Sequence, residues 1–157
     1  MTVVADTSPL NYLILIGEVD LLPRLYEGVL IPNAVFEELD DPRTPALVRE
    51  WLASPPSWLQ LRSVQVFSKP TILHLGRGEA EAISLAIELG IRNVLIDEKL
   101  ARYEAKERKL LVSGTLGILA QASRLGSCDL RSAISRLKKT NFRASPAVYA
   151  EFLRRNP

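Results

Sequence analysis

The chain has 157 residues, 47% of them hydrophobic and 24% charged, with a formal net charge of +2. That length suits one ordinary domain with a sizeable core, and the composition excludes a disordered chain. No apolar run approaches the roughly 18 residues of a membrane helix, nothing at the start reads as a signal peptide, and the single cysteine, Cys128, cannot form an internal disulfide. The expected compartment is therefore the cytoplasm, with no membrane contact.

In chain order, TVVAD at 2–6 is a β-branched strand run, followed by a helix over SPLNYLILIG with Ser8 as N-cap and Pro9 at the first helical position. Gly17 breaks that helix, and VDLLPRLY adds a short helical piece. GVLIP at 28–32 is a second strand; NAVFEELDD at 33–41 is helical and closed by Pro42 and Pro45. A helix over 44–53 ends at Pro55-Pro56, and LQLRSV at 59–64 alternates as an edge strand does. The stretch 65–78, with Pro70, His74 and Gly76-Arg77-Gly78, reads as loop. Beyond it the pattern predicts a helix at 79–89, a strand at 93–96, a helix at 98–108, a strand at 110–112 and a helix at 115–124. Two further helices follow Asp129, split near Thr140–Ala144.

Apolar, non-alternating strands separated by helices predict an α/β fold, a central mostly parallel sheet covered on both faces. The chain reads as one domain over 1–157, with 129–157 a basic helical C-terminal extension. Residues 1–123 hold 12 basic and 16 acidic side chains, whereas 124–157 hold 8 and 2. That tail suits a polyanion, or simply a solvated helical end.

Four acids carry the chemistry. Asp6 and Asp97 end the apolar runs VVAD and VLID, at the carboxyl ends of strands, where ligands collect in such folds. Either could instead cap the helix that follows it. At about 100° per residue, Glu79 falls among Ala82, Ile83 and Ala86 on the buried arc of its helix, while Glu81 falls with Ser84 and Glu88 on the wet arc. Glu38 likewise lies between Ala34 and Val35, and Glu37 points away with Asp40. Clustered carboxylates repel unless a cation intervenes, and hard oxygen donors without a His or Cys cluster select Mg²⁺ or Mn²⁺ over zinc.

Five segments, VVADTSPL at 3–10, IPNAVFEEL at 31–39, LGRGEAEAISLA at 75–86, VLIDEKLAR at 94–102 and SGTLGIL at 113–119, occur in an order and spacing that resemble the PIN-domain nucleases, and within them the VapC-related toxin-like proteins. The resemblance implies a PIN-like three-layer sandwich with the acidic quartet at Asp6, Glu38, Glu79 and Asp97. Thr7 and Ser8 match the small hydroxyl residue after the first acid, and the third acid, often Asp in relatives, is here Glu79 with Glu81 close by. The last 30 or so residues match the family core poorly and read as a subfamily extension.

The resemblance also implies a metal-dependent endoribonuclease. Asp6, Glu79 and Asp97 would ligate Mg²⁺ or Mn²⁺, and Glu38 and Glu79 would orient the attacking water. Lys99 and Arg102, one turn past Asp97, are candidates for backbone contact with RNA, or are solvated helix cations. A small antitoxin protein and a homodimer are the expected protein partners. Ile14, Leu15 and Leu25 would serve the dimer interface or the core. Two rival readings are a non-catalytic PIN module that binds RNA or protein, and a small metal-dependent phosphohydrolase. The second lacks an acid two residues after Asp6.

Overall fold

The computed structural model describes residues 1–72 and 74–157. One residue of the loop stretch 65–78, Leu73, therefore lies outside the described residues. Five strands, β1 (Thr2–Ala5), β2 (Gly28–Ile31), β3 (Leu59–Leu61), β4 (Asn93–Leu95) and β5 (Leu111–Ser113), form a parallel sheet in the order β3-β2-β1-β4-β5. Among the described residues nine helices accompany it: α1 (Thr7–Leu15), α2 (Leu22–Leu25), α3 (Asn33–Leu39), α4 (Ala46–Ala53), α5 (Arg77–Leu89), α6 (Lys99–Glu107), α7 (Thr115–Arg124), α8 (Leu130–Leu137) and α9 (Pro146–Arg155). None of them is long and apolar enough to cross a membrane.

Side chains alternate across β1, so its apolar run feeds two cores. Val3 and Ala5 join a cluster with Leu10 and Leu13 of α1, Ile118 and Leu119 of α7, and Ile134 and Leu137 of α8. Val4 joins the opposite cluster with Ile83, Leu85 and Ala86 of α5 and Ala101 and Ala105 of α6. Each fully buried large aliphatic is worth about 1.5–3 kcal/mol, which is why β1, buried on both faces past Thr2, has only apolar residues from Val3 to Ala5. Ile14, Leu15 and Leu25 also pack into the first cluster.

Sheet order reverses direction at β1. From there the chain proceeds outward through β2 and β3, then returns to lay β4 on the free side. The seam between β1 and β4 is the switch point at which open parallel sheets bind ligands. Asp6 and Asp97 sit on either side of it, and the Asp6 amide donates to the Leu95 carbonyl at 2.9 Å.

Three expectations need correction. Ser8 is not the N-cap of α1. Asp6, in extended conformation, holds that position, and Pro9 falls within the first turn, where its missing N–H has no intrahelical partner to lose. Asp97 does not cap α6; Glu98 does, accepting from the Ala101 amide at 2.8 Å. The arc of α5 bearing Glu81, Ser84 and Glu88 is not wet. Ser84 is fully buried, and Glu88 accepts from the amides of Gln65 and Val66. The chain after β3 runs across that face as a strap. The Ser68 amide donates to Ser84 Oγ at 2.7 Å, and Thr71 bonds to the buried Glu104 of α6 through both its amide and its hydroxyl.

Candidate active site

Asp6 arrives at the sheet's carboxyl edge because β1 stops there and α1 turns away. Its carboxyl is almost fully buried, 4% exposed, and its Oδ1 has no hydrogen-bond partner. Burial pushes its pKa up to about 8, with Glu79, Glu38 and Asp97 adding to the rise against the opposing hydrogen bond from the Thr7 amide. At the end of the adjacent strand, β4, Asp97 is firmly held. It accepts from Ser8 Oγ, the Thr115 amide and Thr115 Oγ1, each at 2.7 Å. Its carboxylate therefore satisfies the N-terminus of α7, and its bond from Ser8 crosses the seam.

Glu38 leans in from α3, accepting a hydrogen bond from Thr7 Oγ1 and another from the Gly78 amide at 3.1 Å. A Cβ at residue 78 would stand 2.7 and 2.8 Å from the two Glu38 oxygens. Glycine is what lets α5 come this close. The same holds at Gly114, where a Cβ would lie 2.7 Å from Asp97 Oδ1. One residue on, in the same first turn of α5, Glu79 is half-buried and its Oε2 has no partner. Burial first, then the charges of Glu98 and Glu38, raise its pKa to about 7, even though it sits at a helix N-terminus, which favours its ionised form.

All four predicted acids thus line one open cleft of about 530 Å³. Thr7 and Ser8 line it as well, and their hydroxyls hold Glu38 and Asp97 in place. Lys99 and Arg102 line an adjoining cleft rather than this one, and Arg102 Nη1 is also committed to the Ile96 carbonyl at 3.0 Å. Glu81 does not line the cleft. Its Oε1 accepts from the Ala34 amide at the start of α3, and its other oxygen pairs with Arg77, which also binds Glu37. His74 does not line the cleft.

Six lining residues escaped the reading of the sequence, beginning with Asn11 and Tyr12 of α1. Glu98 is a fifth carboxylate, beside Glu79. Asn141, Phe142 and Arg143 belong to the loop between α8 and α9, which returns to the cleft. Asn141 Oδ1 accepts from the Tyr12 hydroxyl at 2.8 Å, and the Phe142 ring meets the Tyr12 ring edge-on, 5.0 Å between centroids. An aromatic and an arginine adjacent in a basic segment were the available signal.

The donor set suits a hard divalent cation. Two carboxylate oxygens are buried without partners and two carboxyls are pushed toward neutrality, as expected where positive charge is missing. Among the described residues, however, no three acidic, His or Cys side chains already converge on a single coordination point. Hydroxyl and amide bonds hold Glu38 and Asp97 as they stand.

The fold and this acid-lined seam define a class of open, parallel α/β domains with carboxylates gathered at the switch point. A family described as PIN domain matches residues 2–156, and the chain belongs to that family. A solved PilT N-terminus domain protein from the hyperthermophilic archaeon Sulfolobus solfataricus P2 is similar in fold, with a TM-score of 0.51 at 14% identity over 92% of this chain and 100% of that one. Comparison with curated proteins gave no match.

Proposed function

We propose that the protein is an endoribonuclease that uses Mg²⁺ or Mn²⁺ to hydrolyse RNA phosphodiesters, acting as the toxin of a toxin–antitoxin pair. Membership of the PIN-domain family supports a nuclease-type fold. The observation that carries the reading is the pair of partnerless oxygens, Asp6 Oδ1 and Glu79 Oε2, in one acid-lined cleft. Asp6, Glu79 and Asp97 would hold the cation, which when bound offsets negative charge on the phosphoryl oxygens and acidifies a bound water.

This chain's side chains supply the rest. Thr7 and the Gly78 amide fix Glu38 so that one of its oxygens can orient the attacking water. Glu79, whose Oε2 has no other partner in the cleft, would accept that water's proton. The water oxygen bonds to phosphorus, the P–O bond to the leaving nucleotide breaks, and the departing oxygen takes a proton from solvent. An antitoxin segment seated in the same cleft would block these acids, and pairing of two copies would place two clefts in one assembly.

One observation favours a second reading, a non-catalytic module that binds RNA or protein: the acids do not converge as they stand. Purified protein incubated with mixed RNAs and Mn²⁺ or Mg²⁺, with and without EDTA, beside Asp6→Asn, separates the two. Cleavage that needs metal and disappears in the variant supports the nuclease. Binding without cleavage in both proteins supports the module.

A further inference from the structure

The acidic cleft continues past Asp97, Phe142 and Arg143, which line both hollows, into a second cleft of about 510 Å³ between the start of α7 and the α8–α9 loop. The chemistry changes on the way. Beyond the shared Asp97 the second cleft has no carboxylate, and Lys99, Arg102 and Arg143 surround apolar surface from Leu116, Val148 and Phe152. Among the described residues neither Lys99 nor Arg143 is paired with a carboxylate. Unpaired cations beside an apolar floor suit a polyanion that carries flat apolar groups, which is a nucleic acid strand.

Gly117 of α7 also lines this cleft. A Cβ there would meet nothing closer than the Ser113 Cβ at 3.9 Å, an ordinary contact. Packing does not require glycine, and a helix interior disfavours it. Its effect is to leave the cleft unfilled.

Resting on the nuclease reading of the acids, we propose that the second cleft holds the nucleotide next to the scissile phosphate of a single-stranded RNA. Its base lies against Phe142 over the apolar floor, and Arg143 and Lys99 meet its phosphates. A duplex has no unstacked base to place there. The three cations favour this occupant over an apolar peptide segment.

The test is anisotropy of a fluorescein-labelled single-stranded RNA decamer, titrated in EDTA with the full chain. Wild type is compared with Gly117→Ala, Gly117→Trp and Arg143→Ala, a duplex of the same sequence is run in parallel, and every protein is melted. Gly117→Ala should melt no lower than wild type, the control that a side chain at this position is compatible with folding. Gly117→Trp and Arg143→Ala should each weaken single-strand binding about fivefold or more, as loss of a stacked base or a phosphate contact would, and the duplex should bind more weakly than the single strand. Unchanged binding by both variants, equal binding of duplex, or no binding by wild type overturns the proposal. The titration involves no turnover. Strand binding of the expected pattern without metal-dependent cleavage would thus keep the nucleotide slot and sink the nuclease, and cleavage with binding unaffected in both variants would do the opposite.

Discussion

Tyr12 and Asn141 stand 129 positions apart in the chain and meet through a 2.8 Å hydrogen bond at the rim of the acidic cleft. The bond ties the first helix to the loop between the last two. Together with the Tyr12–Phe142 ring contact, it makes the C-terminal segment part of the site wall. The segment is equally part of the core, since Leu130, Ala133, Ile134 and Leu137 are buried in the same cluster as β1.

A chain ended at Cys128 should therefore fail to fold. Leu130, Ile134 and Leu137 alone account for about 1.5–3 kcal/mol each of lost burial, against a total of about 5–15 kcal/mol for a typical domain. Circular dichroism should show no cooperative melt, and a sharp transition would mean that residues 129–157 are dispensable.

Asp6→Asn should stabilise the metal-free protein. With its pKa raised from 3.8 to about 8, the native carboxyl keeps a proton that the unfolded chain has already lost. Stability then falls as pH rises from about 4 to about 8 and levels off above. The asparagine removes this slope. At pH 8 in EDTA a gain of about 1–3 kcal/mol is expected, and each kilocalorie moves Tm by about 2–4 °C in a domain of this size. Added Mn²⁺ should raise the wild-type Tm more than that of the variant. An unchanged or lower Tm for Asp6→Asn in EDTA would sink the argument.

Asp97→Ala should do the reverse. Three hydrogen bonds disappear and the Thr115 amide is left at a buried helix start without an acceptor. A loss of about 1–3 kcal/mol is expected in a urea titration at pH 7, with Asp97→Asn in between. Equal stability of all three proteins would deny Asp97 its place at the head of α7.

Gly78→Ala separates geometry from stability. In a helix this exchange ordinarily gains about 1 kcal/mol, yet here the new Cβ would press on both oxygens of Glu38. The single-turnover rate of RNA cleavage should drop about tenfold or more, equivalent to about 1.4 kcal/mol of barrier, while the protein remains folded. A rate equal to wild type would mean that the position of Glu38 does not matter to the reaction.

The strands and the four acids were readable because local rules govern them. A β-branched run buried on both faces advertises itself, and an acid at its end has few other places to be. Glu38 and Glu79 followed from helical projection alone. Projection failed for Glu81 and Ser84, because it ranks the sides of a helix by its own residues and cannot see the strap laid over α5. Ser8 was mistaken for a cap because Pro9 is tolerated throughout a first turn. Asn141, Phe142 and Arg143 were missed for a different reason. Nothing local in that loop says that it packs against Tyr12.

The strap itself is fastened through the amides of Gln65, Val66, Ser68 and Thr71, with acceptors on Glu88, Ser84 and Glu104. Main-chain N–H groups are common to every amino acid except proline. Most exchanges at positions 65, 66 and 68 should consequently be silent, whereas one inserted residue would move every donor out of step with its acceptor. Its spelling is free, and its letter count is fixed.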